Sequence, residues 1–202
     1  QCPRCDGTLS IDGAFLKCGN TNCPARVVRS LLYWCRFHEI DGIGDKLAAQ
    51  LVESKLVTNI SDLYRLSIDD IMSLERMGRK SASHITTQIH GKTRMPLHRF
   101  LAALGLPRIG PEIASLISSR IGTIDNLQVM IESWKDNDDN SHRQLEELVK
   151  IDGIGEVVAR LFLDGVSSAW QSTTDLASIL EITETLLESE GTGPLDGKTF
   201  CM

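Results

Sequence analysis

The sequence predicts a mainly α protein with a small metal-held module in front of it. Four of the six cysteines fall within residues 1 to 24 as two close pairs, in a segment with too few apolar residues to build a core. From residue 38 to about 168, apolar residues recur at helical spacing in short stretches divided by glycine-containing turns, with no convincing strand alternation. The turns repeat: Ile40-Asp41-Gly42-Ile43-Gly44 returns unchanged as Ile151-Asp152-Gly153-Ile154-Gly155.

The chain has 202 residues, 42% of them hydrophobic and 24% charged, a composition suited to one large soluble domain or two small ones. No run approaches the roughly eighteen consecutive apolar residues that a bilayer span needs, and the N-terminus lacks the basic-then-apolar layout of a secretory signal. The expectation is a cytoplasmic protein with no membrane partner.

Residues 1–24 are read as a four-cysteine zinc finger. Cys2-Pro3-Arg4-Cys5 and, twelve residues on, Cys18-x4-Cys23 supply two thiolate pairs, each able to grip one side of a tetrahedral ion. All four positions are then filled, so the site should stabilise structure and not activate water. Two disulfides or free thiols are the alternative, and a cytoplasmic setting disfavours the first. Cys35 and Cys201 lie outside the pattern and read as packed side chains.

Residues 25–37 read as a connecting helix, with Val27, Val28, Leu31, Leu32, Trp34 and Cys35 at helical spacing and Arg26, Arg29 and Arg36 between them. Within residues 38–168, Pro96 suits a first helical turn and Ser141 with Gln144 resembles a capping box. Residues 136–141 (DNDDNS) read as a polar loop. Residues 169–194 read as an acidic helix, from about Asp175 to Ser189, and a linker containing Gly191, Gly193 and Pro194. Residues 195–202 stop as an apolar element begins, as in an excised fragment.

The turns at 40–44 and 151–155 have weaker copies at Leu74-Glu75-Arg76-Met77-Gly78 and Leu106-Pro107-Arg108-Ile109-Gly110. Each final glycine is followed four residues later by alanine: Ala48, Ala82, Ala114 and Ala159. Apolar-Gly-apolar-Gly between two helices is the helix-hairpin-helix pattern, so residues 38–168 are expected to form a tandem helix-hairpin-helix domain with four hairpin motifs. In that pattern glycine permits positive φ and close approach, and the second helix aims unpaired N–H groups outward, where they suit a DNA phosphate. Such contacts carry no base information. The candidate DNA-binding residues are Gly42, Gly44, Lys46, Arg76, Gly78, Arg79, Lys80, Arg108, Gly110, Gly153 and Gly155. Arg76 and Arg108 stand where the other turns have their first glycine, which trades close backbone approach for a cation.

The net charge of -6 conceals segregation. From Arg76 to Arg108 there are seven cations and no acid; from Asp164 to Asp196 there are seven acids and no base. His84, His90 and His98 lie in the basic stretch at spacings unsuited to a local metal site and read as surface residues.

A four-cysteine finger ending in Cys23-Pro24-Ala25-Arg26, followed by four hairpin motifs, resembles the C-terminal half of the NAD⁺-dependent DNA ligases of bacteria. Asp62-Leu63-Tyr64-Arg65-Leu66, Gly78-Arg79-Lys80-Ser81-Ala82 and Arg99-Phe100-Leu101-Ala102-Ala103-Leu104-Gly105 support the likeness. Leu195-Asp196-Gly197-Lys198-Thr199-Phe200 looks like the first strand of the BRCT domain that closes such ligases. The resemblance implies nick sealing in replication and repair by transfer of AMP from NAD⁺ to a lysine and then to the DNA. NAD⁺ and Mg²⁺ belong to the full-length enzyme only. Its implied partners are duplex DNA, nicked, and the remaining ligase domains of the same chain, with the protein a monomer. This segment would grip the minor groove on both sides of the nick without performing the chemistry.

Lys150-Ile151-Asp152-Gly153 fits the Lys-x-Asp-Gly pattern of an adenylated lysine, but its last three residues are the hairpin turn, and Glu39 stands at the equivalent place before the first turn. No catalytic residue is expected here. The competing readings are a non-enzymatic helix-hairpin-helix DNA-binding or repair-scaffold module and, less consistent with the repeated turns, a protein-interaction domain.

Overall fold

The computed structural model describes residues 1–12, 15–20, 23–135 and 139–184. A tight turn joins Cys2 to Gly7, with the Cys2 N–H donating to the Gly7 carbonyl at 2.8 Å. An antiparallel hairpin follows, β1 (Leu9–Asp12) and β2 (Phe15–Cys18), in which Leu9 faces Cys18 and Ile11 faces Leu16. Ile11 and Leu16 remain exposed, so the hairpin builds no apolar core, as its composition predicts.

Helix α1 (Pro24–Phe37) starts on the residue after Cys23, with proline in the first turn, where its missing N–H costs nothing. Its apolar stripe buries Leu31, Trp34 and Cys35 in the main core, so one helix joins the finger to the rest of the fold. Arg26 fixes the near end: its Nη1 donates to the carbonyl oxygens of Cys18 and Asn20 at 3.1 and 3.3 Å.

The remaining elements are α2 (Asp45–Glu53), α3 (Ile60–Leu63), α4 (Ile68–Met72), α5 (Arg79–His90), β3 (Arg94–Pro96), α6 (Leu97–Ala103), α7 (Pro111–Ile121), α8 (Ile124–Lys135), α9 (Asp139–Val149), α10 (Glu156–Ser168), α11 (Trp170–Ile179) and β4 (Glu181–Thr183). The four predicted turns join α1 to α2, α4 to α5, α6 to α7 and α9 to α10, and in each hairpin the two helices pack together. Ala48, Ala82, Ala114 and Ala159 are fully buried, and the N–H of each donates to the carbonyl of the glycine four residues before it, at 2.9 to 3.0 Å. Only a small side chain lets the helices close at that point.

Trp34, Phe100 and Phe162 anchor the core, each contributing roughly 2–3 kcal/mol by burial. Trp34 meets Phe100 and Tyr64 edge to face, and its Nε1 donates to the Tyr64 hydroxyl at 3.0 Å, so the one polar atom of the ring is satisfied.

Three local expectations are corrected. Pro96 is not in a first helical turn: it ends β3 and caps α6 from extended backbone. Ser141 does not cap a helix, because α9 already begins at Asp139, which also makes residues 139–141 helical and not loop; residues 136–138 lie outside the described set. The capping boxes that form are Asn59 with Asp62 and Ser67 with Asp70, opening α3 and α4. The acidic helix expected to reach Ser189 ends at Ile179. Leu180 turns extended and buries, and β4 runs parallel to β3, with Ile182 opposite Met95 and the Glu181 N–H donating to the Thr93 carbonyl at 2.8 Å. β-Branched Ile182 and Thr183 pair with a strand there instead of prolonging a helix. The expected linker and BRCT-like strand lie outside the described residues.

Candidate metal centre and nucleic-acid interface

The two cysteine pairs converge. The Sγ atoms of Cys2, Cys5, Cys18 and Cys23 all lie within 4.8 Å of one another, with Cys2 to Cys23 at 3.8 Å and Cys5 to Cys18 at 3.5 Å. A tetrahedron with metal–sulfur bonds of about 2.3 Å places its sulfurs about 3.8 Å apart, whereas a disulfide needs about 2.05 Å. The four sulfurs therefore form a cluster that can hold a metal ion, and all four cysteines are free of disulfides. A Cβ at Gly7 would lie 3.3 Å from the Cys5 sulfur, so glycine keeps the cluster tight. The backbone N–H of Gly7 draws the Cys5 thiol down to about 7. At Cys18 the Asn20 N–H pulls the same way, but burial and the neighbouring sulfurs outweigh it and raise that thiol to about 11. A dication would relieve this opposition by taking all four as thiolates.

The four hairpin turns share one backbone despite their different sequences. Gly44, Gly78, Gly110 and Gly155 are the N-caps of α2, α5, α7 and α10; all four are extended, with φ of -95°, -94°, -82° and -83°, and none has a side-chain cap. An added Cβ at any of them would meet nothing within 4 Å. Two positions earlier the chain is left-handed in every copy: φ is 94° at Gly42, 63° at Arg76, 64° at Arg108 and 86° at Gly153. Arginine thus replaces glycine without changing the turn, in a region that disfavours side chains.

The two first glycines differ in what lies beside them. A Cβ at Gly42 would lie 2.8 Å from Ile85 on α5, and one at Gly153 would lie 3.6 Å from Leu116 on α7. The first turn therefore rests on the second helix of the second hairpin, and the fourth turn on the second helix of the third. The hairpins form two pairs.

Lys46, Arg79, Lys80 and Arg108 are exposed and form no ion pair among the described residues; Arg76 touches only its neighbour Glu75, at 3.4 Å. The fourth hairpin differs. Lys150 is held by Glu147 at 2.7 Å, Arg120 shares that carboxylate, and Arg160 pairs with Glu156 at 3.0 Å. Lys150 and Arg120, as hydrogen-bond donors, hold Glu147 down at about 2. An identical pentapeptide thus sits in two charge settings; the Lys150 and Arg160 pairs are local in sequence, and the share that Arg120 takes of Glu147 appears only once α7 is placed beside α9. Arg26 was also missed by sequence reading, since its carbonyl partners lie across the finger. His84 and His90 are exposed as expected, and His98 is half-buried.

Paired hairpins behind a four-cysteine cluster define a tandem helix-hairpin-helix protein. Residues 36–90 match the family described as a SAM-like helix-hairpin-helix tandem, and residues 99–174 match the helix-hairpin-helix motif family, the same division that the packing makes. Among curated proteins, the chain is 34% identical to the DNA ligase of Coprothermobacter proteolyticus over 98% of its own length and 28% of the relative's. For the DNA ligase of Methylacidiphilum infernorum the values are 30%, 98% and 28%, and for that of Syntrophotalea carbinolica 32%, 99% and 29%. The chain is thus similar over nearly its whole length to a segment that spans under a third of these DNA ligases. No helix among the described residues is long and apolar enough to cross a membrane.

Proposed function

We propose that this chain is the duplex-gripping segment of a bacterial NAD⁺-dependent DNA ligase, holding nicked DNA by its backbone while other domains seal the nick. The observation that carries this reading is the set of four N-cap glycines. Their φ values suit any residue and the space beside them is open, so nothing inside the fold requires glycine there. Close approach of an outside group to the helix N–H donors does require it. Lys46, Arg76, Arg79, Lys80 and Arg108 supply the counter-charge around those turns. Cys2, Cys5, Cys18 and Cys23 hold one structural Zn²⁺, which crosslinks the finger and leaves no position open for chemistry. Lys150 follows α9 at the edge of the fourth turn, exposed and ion-paired with Glu147, which supports reading the segment as one without an adenylated lysine.

The test is fluorescence anisotropy of a labelled nicked duplex across a salt series. Five phosphate-neutralising cations give a log-log slope near -4.5. Arg79→Ala with Lys80→Ala lowers affinity equally for unrelated sequences and flattens the slope by about 2. Gly78→Val and Gly110→Val weaken binding with little change in slope. A flat salt response or a strong sequence preference rejects this mode. Incubation with labelled NAD⁺ leaves no AMP on the chain; labelling that disappears in Lys150→Ala would overturn the non-catalytic assignment.

A further inference from the structure

Helix α1 carries three arginines and no acid. Arg26 is committed to the finger carbonyls, but Arg29 and Arg36 are exposed and form no ion pair among the described residues. Arg29, Tyr33 and Arg36 sit at i, i+4 and i+7, one stripe of the helix. Tyr33 joins that stripe to the third hairpin: its hydroxyl donates to the Ala102 carbonyl at 3.3 Å, and its ring lies 3.3 Å from where a Cβ on Gly105 would stand. An open groove of about 390 Å³ runs between the two, lined by Arg29, Ser30 and Tyr33 on one side and by Gly105, Arg108 and Gly110 on the other. Two arginines from separate elements thus face one groove without a carboxylate in its lining, and the groove is continuous with the third turn.

We propose that the duplex-binding surface extends from the third hairpin across this groove onto α1, with Arg29 at the groove and Arg36 two turns further along the same stripe as phosphate contacts. The inference rests on the hairpin reading above. Charge complementarity selects its occupant: an exposed basic stripe with no acid on its helix suits a polyanion. Arg26 and Tyr33 position it, fixing α1 to the finger and to the third hairpin so that the stripe and the turn present one rigid surface.

The test uses the whole 202-residue chain, zinc-loaded, and the same anisotropy salt series. Arg29→Ala with Arg36→Ala flattens the slope by about 1.8 and weakens binding about 30-fold at 0.15 M salt, the counterion-release contribution of two contacts. Arg29→Lys with Arg36→Lys keeps the slope, which separates charge from any effect on folding. Arg65→Ala, which removes a cation ion-paired with Asp62 outside the hairpin turns, serves as the control and changes nothing. If the α1 double alanine variant binds like the unaltered chain while Arg79→Ala with Lys80→Ala is weakened, the extension is wrong and the hairpin reading stands. Loss in the lysine variant equal to that in the alanine variant also overturns the extension. If neither alanine pair weakens binding, or the unaltered chain binds no duplex, both readings fall.

Discussion

Arg26 donates from the first turn of α1 to the carbonyl of Cys18, 3.1 Å away, so a side chain of the connecting helix supports a residue of the sulfur cluster. Groups that brace a metal ligand from behind commonly set affinity by a factor of ten to a hundred. Arg26→Ala should therefore lower zinc affinity about tenfold in a competition titration with a chelating dye. Complete removal of metal, or Cys18→Ser, should unfold the finger, because zinc contributes about 10–16 kcal/mol in small finger peptides and this segment has no apolar core to replace it. Hydrogen exchange should then show lost protection up to Cys23, while α1 from Leu31 onward stays protected by its burial. Cooperative loss of the whole helical domain on chelation would contradict this division.

The two identical pentapeptides should respond differently to the same substitution. Gly42→Ala forces a Cβ to 2.8 Å from Ile85 at a φ of 94°, combining strain with overpacking, and should cost about 2–4 kcal/mol in urea unfolding. Gly153→Ala meets Leu116 only at ordinary contact distance, so backbone strain alone remains and the loss should be about 1–2 kcal/mol. Equal losses at the two sites would mean that the Ile85 contact does not constrain the first turn.

Arg76 and Arg108 hold left-handed backbone that glycine would adopt more cheaply, by about 1 kcal/mol, although glycine returns most of that gain as unfolded-state entropy. Arg76→Gly and Arg108→Gly should leave stability unchanged or raise it by at most about 0.5 kcal/mol, and each should reduce the salt slope of duplex binding by about 0.9. Improved stability with weakened binding is the signature of residues kept for a ligand. Loss of stability with unchanged binding would assign them to the fold.

Much of this was legible in the sequence because the repeat is short-range: a turn, its glycine and the alanine four residues later are set within one hairpin. The cysteine spacing was equally local. What the sequence did not reveal depends on contacts between distant segments. The acidic helix looked continuous to Ser189 because nothing near Ile182 announces a partner strand at Arg94. The Ile85 side chain beside Gly42 could not be anticipated because it lies on another hairpin. The share that Arg120 takes of Glu147 likewise needed α7 and α9 side by side.

His38, at the C-terminal end of α1, sets an acid limit that sequence reading did not anticipate. Its ring is buried, 4.4 Å from Trp34 and 5.3 Å from Phe37, and its Nε2 has no hydrogen-bond partner. Burial, with the positive charges of Arg99 and Lys92 added, lowers its pKa from 6.5 to about 4. The unfolded chain thus takes up this proton near pH 6.5 and the folded chain only near pH 4, so acidification between those values favours unfolding. Full stability is present above pH 6.5, and after allowance for solvent screening about 2 kcal/mol of it should be lost by pH 4.5. Glu147, held low by Lys150 and Arg120, begins to act at its ordinary value of 4.5 and adds the same small loss to every variant, while the other low carboxylates lie below the window. Burial would raise Asp62 but the Thr58 hydroxyl and N–H hold it low, and the Ser67 hydroxyl holds Asp70 low, so both act only below the ordinary carboxylate range. Urea unfolding of the helical domain in metal-free protein, where zinc release cannot add to the acid effect, should show the loss between pH 7 and pH 4.5 in the unaltered chain. In His38→Phe and His38→Leu, which keep the position apolar and remove the titrating ring, most of that loss should vanish. A variant that remains as acid-sensitive as the unaltered chain would exclude His38 as the cause.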